Sequence, residues 1–157
     1  MTPILAQGNS VGTSREGLFP FDAPVVGVTR LIGVLLGVNA NSAATDFAIP
    51  LQLLPACNFV IDSVLLNNAS TSLTTATYGV FTAVAAGGIT IVANAATNLN
   101  TLTTAVSNLV GTLAATATTT VFNGATLATP NPLYIRIGTA QGGAATVDVY
   151  VWGKVLP

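Results

Sequence analysis

Chemistry on this chain would have to come from five carboxylates, Glu16, Asp22, Asp46, Asp62 and Asp148, and from one thiol, Cys57. There is no histidine, which removes the usual general base, the commonest metal ligand and every Ser-His or Cys-His nucleophilic arrangement. The carboxylates stand far apart in sequence. Each has a plainer use than paired acid–base catalysis: Asp46 and Asp62 occupy outward positions of alternating runs, and Asp148 is expected to face Arg136. The sequence contains no G-x-x-x-x-G-K-[ST], G-x-G-x-x-G, C-x-x-C or calcium-loop pattern, so neither a phosphate cradle nor a metal site is indicated, and no cofactor is expected. A lone cysteine forms no internal disulfide, and beside Leu53, Leu54 and Phe59 it reads as a small buried hydrophobe. Asn68-Ala69-Ser70 matches a glycosylation sequon, but the N-terminus lacks a basic segment followed by an apolar run and does not read as a secretory signal.

The remaining candidates are surfaces. Tyr134, Tyr150 and Trp152 form an aromatic stripe in the C-terminal region, suited to packing against a second sheet or a neighbouring subunit, or to stacking on a sugar ring. Phe19 and Phe21 flank Pro20 in a stretch punctuated by Gly8, Gly12, Gly17, Pro3 and Pro24. Residues 1–24 therefore read as an extended arm, whose aromatic residues dock in a groove of the same subunit or of a neighbour.

The elements that position these residues are strands. The most sharply patterned stretch is Leu133–Val155. Leu133, Ile135 and Ile137 share one face opposite Tyr134 and Arg136, and Val147, Val149, Val151 and Val155 share one face opposite Asp148, Tyr150, Trp152 and Lys154. Gly142-Gly143 between them suggests a hairpin. Its register would set Ile137 against Val147, Arg136 against Asp148 and Tyr134 against Tyr150, leaving Tyr134, Arg136, Asp148, Tyr150 and Trp152 on one outer face. Upstream, strands are expected over 30–38, 45–53 and 59–66, with Pro50 marking an edge or a bulge. A further hairpin is expected from 74–84 and 89–93. Residues 102–113 carry both a helical spacing (Leu102, Val106, Leu109, Leu113) and strand-forming Thr and Val; the expectation is a helical turn over 101–107 and a strand over 108–121. The sum is an all-β, single-domain, jelly-roll-like β-sandwich of about 7–9 short strands over 25–157, behind the arm.

Hydrophobic residues make up 51% of the 157 positions and charged residues only 6%, against about 25% charged in ordinary domains. No charged residue occurs between Asp62 and Arg136. A spanning helix needs about 20 apolar residues; the nearest run, Val25–Val38, is shorter and contains Arg30, so no membrane partner is expected. Four Lys plus Arg, scattered along the chain, do not make a nucleic-acid footprint. So few charges oppose association poorly, which points to a protein held against copies of itself or a larger assembly.

Two stretches resemble small virion proteins of tailed bacteriophages. One is Asp62–Ala83 (DSVLLNNASTSLTTATYGVFTA) with the following Gly87-Gly88, and the other is Asn131–Gly153 (NPLYIRIGTAQGGAATVDVYVWG). Together they cover roughly a third of the chain, and they look like parts of head decoration (cement) proteins. The resemblance implies a jelly-roll-like subunit, often a homotrimer, made in the host cytoplasm and seated on the capsid exterior. There it would clamp subunits of the major capsid protein and have no enzymatic role. The alternative is a receptor- or carbohydrate-binding component of a tail or head fibre, with a glycan as partner.

Overall fold

A computed structural model describes residues 27–53, 57–94, 99, 102–104, 106–123 and 132–156. Period-two burial organises these residues: in β8 (Leu133–Ile137) and β9 (Thr146–Leu156) the aliphatic faces point inward, with Leu133, Ile135, Ile137, Val147, Val149 and Val151 inaccessible to solvent. The same alternation governs β3 (Asn58–Asn67), where Phe59, Ile61, Val64 and Leu66 are buried. Their inward residues meet in one core between two antiparallel sheets. Each such aliphatic side chain contributes about 1.5–3 kcal/mol on leaving water.

The remaining strands are β1 (Thr29–Asn39), β2 (Asp46–Ile49), β4 (Tyr78–Ala83), β5 (Gly87–Val92), β6 (Asn108–Gly111) and the two-residue β7 (Phe122–Asn123). Sheet A runs β1-β9-β3-β6 with β7 also on β3, and sheet B runs β2-β8-β4-β5. The pairs β4–β5, β3–β6, β2–β8 and β1–β9 are nested one inside another. The chain thus behaves as one long antiparallel ribbon rolled so that successive pairs fall in alternate sheets. The all-β, jelly-roll-like sandwich expected from the pattern is the observed fold.

The C-terminal hairpin is corrected. β8 and β9 do not pair with each other: β8 lies between β2 and β4 in sheet B, and β9 between β1 and β3 in sheet A. The segment between them crosses from one sheet to the other instead of reversing within one. It is tied across the end of the sandwich by Gln141, whose Oε1 accepts from the Thr75 and Ala76 N–H groups (3.2 and 3.3 Å) and whose Nε2 donates to Ser72 O and Thr74 Oγ1 (3.2 and 3.3 Å). Gly142 N donates to Asn41 Oδ1 at 2.8 Å. Every partner of the presumed turn thus comes from other loops.

Pro50 sits just past β2, which is an edge strand of sheet B, and there the chain changes sheets. Leu51 bridges to Gly33, and Gln52 N donates to Ile32 O at 2.7 Å. The missing side chain of Gly33 permits this approach, since a Cβ there would lie 3.0 Å from Leu51 Cδ2. The strand expected over 45–53 therefore ends at Ile49.

The 101–121 region is also corrected. Its described residues at 102–104 and 106–107 include a turn closed by Ser107 N to Thr104 O (3.1 Å), while residues 101 and 105 of the expected helical turn lie outside the described residues. The strand stops at Gly111, and α1 (Ala115–Thr119) follows. Thr118, Thr119 and Thr120 turn their hydroxyls back onto the carbonyls of Ala115 and Thr116. This local bonding suits a short threonine-rich helical turn on the surface, and only Ala117 of α1 is buried. Cys57, expected buried, is a half-buried free thiol.

Candidate interaction surfaces

Because β8 and β9 lie in different sheets, the five residues assigned to one outer face belong to two. Tyr134 and Arg136 lie on the outside of sheet B; Asp148, Tyr150 and Trp152 lie on the outside of sheet A. The arm residues Phe19, Pro20 and Phe21 lie outside the described residues.

On sheet B, register sets Arg136 beside Asp46 of β2 and Gly79 of β4. Arg136 Nη1 donates to Asp46 Oδ2 at 2.8 Å, and both side chains are largely covered. The same oxygen accepts from Ala85 N at 2.9 Å, tying the ion pair to the β4–β5 turn. That turn is closed by Gly87 N to Val84 O (3.0 Å), with φ of 56° at Ala85 and 60° at Ala86. It is a type I′ turn built from two alanines, in a backbone region where Cβ crowds the following carbonyl. Next to Arg136, Tyr134 lies between Ala48 and Phe81 in the register. Phe81 lies across Gly79, where a Cβ would stand 2.8 Å from the ring.

On sheet A, Asp148 does not meet Arg136. Its Oδ1 accepts from Gly37 N and its Oδ2 from Asn68 Nδ2, both at 2.7 Å. Gly37 (φ 68°) lies in a bulge of β1, and Asn68 (φ 54°) follows the end of β3. A carboxylate on the central strand therefore holds both neighbouring strands at positions where their ladders break off, and is itself almost fully covered. At the other end of this face Asp62 takes Lys154 Nζ (3.2 Å) and the Thr29 hydroxyl (2.5 Å).

Between those two polar ends, the register sets Val34, Tyr150, Leu65 and Val110 in one row across all four main strands. Leu31 and Trp152 pair in the neighbouring outward row. Leu36 and Val110, on opposite edges of the sheet, are 63% and 59% exposed. Tyr150 and Trp152 were legible as surface candidates in the sequence, but Val34, Leu36, Leu65 and Val110 were not singled out. The available signal was the near-continuous apolar run 30–38, half of which must face outward once it is a strand.

Among the described residues no three His, Cys, Asp or Glu side chains gather as a metal-binding group, and no helix is long and apolar enough to cross a membrane. No protein-family model, curated protein or solved structure matches this chain.

Proposed function

We propose that this chain is a structural subunit of a phage virion that decorates the outside of the capsid and bridges neighbouring capsid subunits. The observation that supports it best is how the ionic groups are used. On sheet B Asp46 holds Arg136 and the β4–β5 turn; on sheet A Asp62 holds Lys154 and Asp148 holds two strand ends, so the outer face of sheet A between those polar ends is apolar. Such a face suits a subunit packed against copies of itself or other components of a shell, where many weak apolar contacts, each removed from water, sum across a lattice. The likeness of residues 62–83 and 131–153 to head decoration proteins points the same way.

The test is binding of the purified protein to expanded shells that lack it, with the shell rupture temperature followed by light scattering. Saturable binding that raises the rupture temperature is expected. Deleting residues 1–24 should weaken that binding while the β-sheet circular dichroism persists, because Phe19, Pro20 and Phe21 are assigned to docking. The fibre reading rests on Tyr150 and Trp152, which are outward neighbours on β9. Failure to bind shells, together with a glycan-dependent change in the fluorescence of the single tryptophan, would favour it.

A further inference from the structure

We infer that the outer face of sheet A is a self-complementary surface that pairs with the same face of a second copy about a twofold axis running along the strands. A twofold axis in that direction lays the β1 edge of one copy over the β6 edge of the other. The row Val34, Tyr150, Leu65, Val110 then lies over its own reverse, Val34 against Val110 and Tyr150 against Leu65. Large meets small at the centre, and the exposed edge residues Leu36 and Val110 are carried toward each other.

The charges on the face select a copy of itself over a charged partner. Lys154 and Asp62 neutralise each other, and the Asp148 carboxylate is drawn down onto Gly37 N and Asn68 Nδ2. The one uncompensated charge, Asp148, is almost fully covered at one end of the face, so between its polar ends the face offers little pull to an acidic or basic partner and meets an identical face over apolar side chains. The size also fits. Strands about 4.8 Å apart rising about 3.3 Å per residue give the face about 550 Å² in projection before side-chain relief is added. That approaches the ~800 Å² per partner of a standard interface. Sheets stacked in this way sit about 10 Å apart with interdigitating side chains, the same packing that already joins sheets A and B.

The experiment uses the full chain alone, free of shells, so shell binding and self-pairing stand or fall separately. Sedimentation equilibrium should give a species of twice 15.8 kDa. The double variant Leu36→Lys/Val110→Lys changes two exposed edge positions; it should raise the dimer dissociation constant at least tenfold with an unchanged circular dichroism spectrum. In a Cys57→Ser background, Val34→Cys/Val110→Cys should give a covalent dimer with a short bismaleimide cross-linker that spans the gap between facing sheets, whereas either single cysteine should not. A chain monomeric at all concentrations overturns the inference. So does association that the lysine pair leaves intact, or association lost on deleting residues 1–26 but not with the lysines, which would make the arm the occupant.

Discussion

Tyr78 offers the sharpest test of the energetics argued for this core. Its side chain is fully inaccessible, inside the cluster between the two sheets, and its hydroxyl has no hydrogen-bond partner among the described residues. The hydroxyl lies over Gly111 of β6, in space a Cβ there would claim, so the core accommodates the oxygen sterically without satisfying it. A buried hydroxyl without a partner costs about 1–3 kcal/mol. The Tyr78→Phe variant relieves that cost and leaves a void of only about 10 Å³, worth about 0.2 kcal/mol at the usual cavity coefficient. The expected gain is about 1–2 kcal/mol in urea unfolding, or a Tm rise of about 3–6 °C at this chain length. Burial also pushes the Tyr78 phenol well above its ordinary range. The folded chain therefore keeps a proton that the unfolded chain releases near pH 10, and the associated stability, fully present below pH 10, is lost as pH rises. The gap between variant and parent should consequently widen by about 1.4 kcal/mol between pH 8 and pH 11. A Tyr78→Phe protein less stable than the parent by 1 kcal/mol or more would refute the reasoning, because it would show the hydroxyl to be held by a bond. A gap independent of pH would show that the phenol ionises without unfolding.

Two further expectations concern the strand ends. Asp148→Ala removes the acceptor for Gly37 N and Asn68 Nδ2 and should lower unfolding stability by about 2–4 kcal/mol, whereas Asp148→Asn, which keeps one acceptor oxygen, should lose less than half of that. Ala86→Gly relieves a Cβ at φ 60° in the type I′ turn and should stabilise the chain by about 1 kcal/mol in the same urea titration.

The alternation of residues 133–137 and 147–155 named both the strands and their inward faces, because a period of two is a property of the local backbone and the core accepts only the aliphatic side. Apolar runs of strand length bounded by turn residues placed β1, β3 and the β4–β5 hairpin, and Pro50, read as an edge or a bulge, lies just past an edge strand. The region after Gly111 was less legible: threonine favours a strand by its branching, yet hydroxyl bonds to Ala115 and Thr116 carbonyls support a helical turn, and composition alone does not choose between them.

Pairing was decided by the tertiary structure. An alternating strand declares which side faces inward, but it does not name its neighbour. Opposite charges and a glycine pair made β8 and β9 look like partners, while the rolled ribbon gave Arg136 to Asp46, ninety residues away, and Asp148 to Gly37 and Asn68. Consequently the aromatic stripe divides between two outer faces, and the continuous apolar surface draws on β1, β3, β6 and β9 together. The residues that make that surface were set by the sequence one strand at a time. Their assembly into one face exists only because each sheet recruits strands from distant parts of the chain, and a local pattern carries no record of that distance.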